Sequence, residues 1–235
     1  MSVMLIFLAV IAVIVFWWMA QHRLTSKPWL EVGLVTDSSR EKRLAIEPAR
    51  VGLGIFLAVV GALFTLLISA YFMRMAATDW WATPIPRLLW VNTAMLALSS
   101  AALEWAKLEA RRGRSDIMRA ALLLGLATAV LFLTGQVMAW RELAAAGYVL
   151  ADNPANSFFY MLTGLHGLHI LGGLAVLGRT TGRAFDGHFP ARRLHLSLDL
   201  CAVYWHFMLF VWVVLFALFA GWANDFVDLC RQLIS

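Results

Sequence analysis

The stretch VGLGIFLAVVGALFTLLISAYF, Val51–Phe72, runs for 22 residues without one charged side chain. A helix needs about 20 mainly apolar residues to cross roughly 30 Å of hydrocarbon, so this stretch reads as a membrane span. It is a continuous apolar run without period-two alternation, which argues against a β-barrel strand. Five other stretches share its character: Ser2–Ala20, Leu88–Leu108, Met118–Trp140, Phe158–Leu177 and Leu198–Trp222. The fold class read from the chain is all-α, a polytopic transmembrane bundle of six helices. Composition agrees, with 62% hydrophobic and 14% charged residues. A soluble domain carries about 45–50% and 25%, so the apolar surplus must face lipid.

The loops supply an orientation. Lys and Arg number 6, 2, 5, 1, 4 and 1 along the successive inter-span and terminal segments, which accounts for all 19. The alternation puts the three basic loops in the cytoplasm and both termini outside. The chain then divides into an N-terminal transmembrane helix (1–20), a cytoplasmic basic loop (21–50), a five-helix core (51–222) and an outward-facing C-terminal tail (223–235). In the long first loop, Ser38 and Glu41 match a capping box, which predicts a short surface helix ended near Pro48. Residues 1–20 carry neither a basic leader nor a small-residue cleavage site and read as a retained span.

The net charge of +5 sits in loops and is not gathered on one face, so topology accounts for it and no nucleic-acid partner is expected. Cys201 lies in an apolar run and Cys230 in the tail, a pattern that suggests neither a metal site nor a disulfide framework. No Gly-rich phosphate loop, zinc signature or nucleophile elbow is present. No internal repeat supports a transporter built on inverted halves.

Polar side chains at membrane depth are the functional candidates. His169 lies about 16 Å from the outer end of the fifth span, and His206 about 12 Å from the inner end of the sixth. His166 and His169, spaced i, i+3, share a helix face. Three readings fit the histidines: an interhelical hydrogen-bond network or lipid-pocket lining, haem ligation, and a proton relay. Two histidines on one face suit a bis-histidine haem poorly, because its ligands face each other from different helices. Asn92 and Gln136 sit at equal depth in neighbouring spans, which allows a contact. Glu104 and Asp199, near the inner face, are expected to snorkel or to pair with loop bases. Gly164, Gly167, Gly172 and Gly173 allow close helix approach. Trp17, Trp18, Trp80, Trp81, Trp140 and Trp222 lie at span ends, as an aromatic belt would.

Ser157-Phe-Phe-Tyr-Met-Leu-Thr-Gly-Leu-His-Gly-Leu-His169 resembles a core helix of the cytochrome c oxidase subunit III family. Tyr204-Trp205-His206-Phe207, followed by Val211-Trp212, is similar to that family's last helix. Weaker similarities are Ser69-Ala70-Tyr71, Leu89-Trp90-Val91-Asn92-Thr93 with Ser99-Ser100, and Gln136 with Trp140, so the resemblance covers about residues 50–222.

The resemblance implies a subunit without catalytic residues, metal or redox cofactor of its own. Its partners would be the haem-copper catalytic subunit I, which holds the haems and copper, other oxidase subunits, and membrane lipids held in a cleft. It would sustain rapid proton uptake and protect the catalytic subunit during turnover, and a lipid-lined oxygen route has been proposed for such clefts. His166, His169, Tyr204, Trp205 and His206 are then expected to serve interhelical bonding and lipid contacts, with Asn92 and Gln136 in the polar network. Arg74 is a candidate for a lipid phosphate, and phospholipid is the expected ligand. The setting would be a bacterial plasma membrane. The donor, cytochrome c or quinol, is left open, as is an accessory role with a nitric oxide reductase. A stand-alone haem-b cytochrome or a transporter are the readings from other classes.

Two departures limit what carries over. Val60 stands where the family commonly has a carbodiimide-reactive Glu, and Leu209 where its last helix often has Asp. The architecture also differs: family members have seven helices or five, whereas a single extra helix is expected here, packed at the edge of the lipid cleft.

Overall fold

The computed structural model describes residues 48–75, 77–186 and 190–221. They form five helices in chain order: α1 (Pro48–Met75), α2 (Leu88–Arg111), α3 (Ser115–Ala145), α4 (Pro154–Phe185) and α5 (Ala191–Phe219). The spans expected from the sequence lie inside these helices, apart from the last few residues of the sixth. The helices run past the apolar cores because their polar ends also reach for helical hydrogen bonds. The expected first span, the surface helix before Pro48, the tail and both termini lie outside the described residues. Pro48 opens α1, where its missing N–H costs nothing.

Among the described residues, four helices are long and apolar enough to cross a membrane, namely α1, α3, α4 and α5. The exception, α2, carries Asn92, Ser99, Ser100 and Glu104 in its apolar stretch. Asn92 and Ser99 find hydrogen-bond partners on α3 within the protein, as a bundle in lipid favours.

Two turns fix the hairpins. Gly113, at φ 73°, sits between α2 and α3, a left-handed conformation that other residues rarely adopt. At the start of α4, Asn153 Oδ1 accepts the Ala155 N–H at 3.0 Å and Pro154 follows as the first helical residue. Each helix packs antiparallel to the one before it in the α2–α3–α4–α5 series, and α5 also packs on α2. That closes a four-helix ring. α1 leans on the outside, touching α4 and α5 and no other described helix. Its buried residues are Val60, Phe64 and Tyr71, a single narrow stripe.

The basic ends gather at one end of the bundle. Arg50 of α1 and Arg111 of α2 both bind Asp199 of α5, at 3.0 and 3.3 Å, and Arg119 Nε donates to Ala184 O of α4 at 2.9 Å. Glu104 pairs with Lys107 at 2.7 Å. At the other end, Asn156 is fully buried, accepting from Thr83 Oγ1 at 2.7 Å and donating to Val149 O at 3.3 Å. It thereby ties the α1–α2 loop to the α3–α4 loop.

Candidate functional site

The α2–α3 hairpin is closed by small residues. Ser99 Oγ donates to Gly125 O at 2.8 Å, and a Cβ at 125 would already touch Leu103 Cδ2 at 3.4 Å. At Gly135 an added Cβ would lie 2.0 Å from Asn92 Oδ1. Asn92 therefore lies against bare backbone, and its Nδ2 donates to Gln136 Oε1 at 3.5 Å. Two threonines link further helices in one manner. Thr93 and Thr163 each donate to the carbonyl four residues back and accept an indole N–H, from Trp212 at 2.9 Å and from Trp140 at 3.0 Å. Both hydroxyl functions are used, so these hydrogen bonds bridge α2 to α5 and α3 to α4 without an orphan.

His166 lies at the centre of this core and is fully buried. Three rings surround it: Trp212 at 5.1 Å, Phe132 at 5.8 Å and Phe64 at 6.2 Å between centroids. Neither ring nitrogen has a hydrogen-bond partner among the described residues.

His169 is half-buried. Its Nδ1 donates to Leu165 O at 2.8 Å, and Phe64 packs on it at 5.7 Å. Its backbone carbonyl accepts the Tyr204 O–H at 2.6 Å, which pins α5 to α4. Gly173 makes this possible, since a Cβ there would stand 2.4 Å from Tyr204 Cε1 and 2.8 Å from Trp205 Cζ3. Trp205 itself is fully buried.

Equal depth does not make the three histidines one group. His206 lies on an exposed face of α5, and its Nδ1 donates within its own helix, to Ala202 O at 2.6 Å. Spacing along α5 explains this: Tyr204 is two residues from His206, about 200° around the helix, and so faces the other way. Among the described residues no group of three or more His, Cys, Asp or Glu is placed to hold a metal ion. Arg74 turns to Asp79, donating from both terminal nitrogens at 2.7 and 2.5 Å. Those hydrogen bonds hold the Asp79 carboxyl below the usual carboxylate range.

A cleft of about 630 Å³ lies between α1, α4 and α5. Leu53 and Phe56 line it from α1, Leu168, Gly172, Gly173 and Val176 from α4, and Leu200 and Tyr204 from α5. His169 stands at its mid-depth end. Arg179, Thr180, Arg183 and Ser197 stand at the end nearest the basic loops. The cleft occupies the stretch of α1 around Leu53 and Phe56, below the buried Val60 and Phe64, the latter packed on His169 at 5.7 Å. Arg50 binds Asp199 at one end, and Tyr71 packs on Trp80 at 4.8 Å and Phe158 at 5.7 Å at the other.

Sequence reading missed two residues. Glu109, the residue just after the expected third span, is buried and paired with Arg112 at 2.9 Å and with Arg114. The signal was an acidic residue followed by arginines three and five positions on, across a glycine turn. Asn156 was also missed; nothing in its sequence neighbourhood points to burial.

These features define a polytopic helical membrane protein with a packed polar core and an open apolar cleft. Residues 48–224 match the family description "Cytochrome c oxidase subunit III". Cytochrome c oxidase subunit 3 of Thermostichus vulcanus is 30% identical over 173 residues, covering 72% of this chain and 84% of that protein. The subunit 3 of Pylaiella littoralis is 28% identical over 233 residues, covering 92% and 78%. Against that of Lumbricus terrestris the identity is 31% over 134 residues, and the chain spans 50% of that protein's length. The chain belongs to the cytochrome c oxidase subunit III family.

Proposed function

We propose that this chain is the accessory subunit III of a haem-copper terminal oxidase in a bacterial plasma membrane, where it stabilises the catalytic subunit, binds phospholipid and supports proton uptake while oxygen is reduced with electrons from cytochrome c. The observation that carries the reading is the family match across all five described helices. Haem and copper belong, in this reading, to partner subunits. Six spans with both termini outward complete it, supported by the alternating loop charges and by the basic helix ends meeting at one end of the bundle.

The cleft fits a phospholipid by its two chemistries. Arg179 and Arg183 offer cationic donors to a phosphate. Leu53, Phe56, Leu168 and Val176 offer an apolar trough to an acyl chain. A lipid seated there would wedge between α1 and the ring and hold their spacing while the partner subunit turns over.

The test is to tag the chain, solubilise native membranes in mild detergent and identify the polypeptides that co-purify. A stoichiometric haem-copper catalytic subunit supports the proposal, and its companion subunits identify cytochrome c or quinol as donor. A reduced-minus-oxidised spectrum of the chain separated from its partners is expected to be flat. A haem-b band in the separated chain would replace the proposal with a self-contained cytochrome.

A further inference from the structure

α1 and α2 do not touch, yet both pack on α5. The strip of α5 between them carries Asp199, Val203, His206, Phe210 and Val213, a series of i+3 and i+4 steps that keeps one face. Asp199 closes the inner end of this groove, held from one wall by Arg50 and from the other by Arg111, at 3.0 and 3.3 Å. Beyond that clasp the floor is open: Val203, Phe210 and Val213 are 49%, 66% and 47% exposed. His206 lies among them, also exposed, about 20 Å from either end of the helix.

The hydrogen bonding of His206 determines what it can accept as a neighbour. A carbonyl only accepts, so the contact with Ala202 O places the ring proton on Nδ1. Nε2 is left as an acceptor at mid-membrane depth. Acyl chains have no donor to give it, and an imidazole bare to hydrocarbon is costly. A groove walled by two helices, floored by a third and apolar except for one central acceptor suits a single helix carrying one donor.

We propose that this groove receives one transmembrane helix from another subunit of the oxidase, presenting a hydroxyl, indole or amide N–H to His206 Nε2. The inference rests on the oxidase-subunit reading above and adds the face by which the chain docks. The cleft between α1, α4 and α5 lies on the opposite side of α1 and takes lipid; this groove takes protein.

The experiment places a photo-reactive phenylalanine analogue at Phe210 in the full tagged chain and irradiates native membranes before purification. The expected adduct joins Phe210 to a transmembrane segment of a co-purifying subunit, identified by mass spectrometry. In parallel, His206→Leu, which keeps an apolar shape but removes the acceptor, is expected to lower the recovered partner per tagged chain about threefold or more, the worth of one hydrogen bond in a bilayer. His206→Gln, which restores an acceptor, should recover part of that loss. Adducts confined to lipid, to residues 1–47 of the same chain or to a second copy overturn the docking face even when the catalytic subunit co-purifies, and leave the function standing. Absence of any oxidase subunit from the preparation removes both.

Discussion

The α2–α3 hairpin and the junction of α1 with α4 and α5 use the same residue types and reach opposite results. Both are rich in glycine, alanine and serine. In the hairpin every recess is filled from across: a Cβ at Gly125 would meet Leu103 Cδ2 at 3.4 Å, and one at Gly135 would meet Asn92 Oδ1 at 2.0 Å. At the junction, Gly172 has nothing within 4 Å of where its Cβ would be, and the space opens into the cleft. Small residues in a membrane helix permit close approach without compelling it. Hydrophobic burial cannot favour one outcome, since lipid is as apolar as a leucine. What decides is whether a partner supplies a hydrogen bond or a matching side chain, as Ser99 and Asn92 do in the hairpin and as nothing does opposite Gly172.

The sharpest way to break this contrast is Gly135→Leu. Overfilling a packed site costs about 1–3 kcal/mol, and Asn92 is buried and hydrogen-bonded to Gln136. The denaturation midpoint of the purified protein in mild detergent should fall clearly; an unchanged midpoint would mean that the hairpin is looser than its contacts suggest. Gly172→Leu is the matched change in the open region. Stability is expected to stay within about 0.5 kcal/mol of the parent, while phospholipid retained through purification falls by half or more, measured by phosphate analysis. Destabilisation without lipid loss would show that the cleft closes in the membrane. The smallest effect is expected from Asp199→Asn, which releases Arg50 and Arg111. Both arginines are about half exposed, at 49% and 59%, so the loss is about 0.2–1 kcal/mol and shrinks as salt is added. A loss that is indifferent to salt would point to packing and not to charge.

Much of the bundle was legible because lipid imposes a strong rule. A run such as Val51–Phe72 has few other soluble or folded alternatives. The expectation that Asp199 and Glu104 pair with basic residues agrees with the structure, because both lie where loops and spans meet. Side-chain partners were harder to read. Depth along a helix follows from counting, but azimuth depends on which neighbours exist. His166, His169 and His206 share a depth, yet one is enclosed by rings, one pins α5 through its carbonyl and one faces outward. Arg74 was read as a lipid contact, but Asp79 lies five residues on, across a turn whose shape the sequence did not reveal. Glu109 and Asn156 were invisible to a reading centred on apolar runs, since both act at helix ends.

The sequence by itself determined that the described core is helical, where its apolar segments lie, and to which family the chain belongs. Each follows from local properties: span length against bilayer thickness, and residue strings carried on single helices. Only the tertiary structure decided that α2 and α3 interlock while α1 stands off to leave a cleft, and that His206 looks away from the core. Those outcomes depend on contacts between residues up to 149 positions apart, such as Arg50 and Asp199, and no local pattern carries that information.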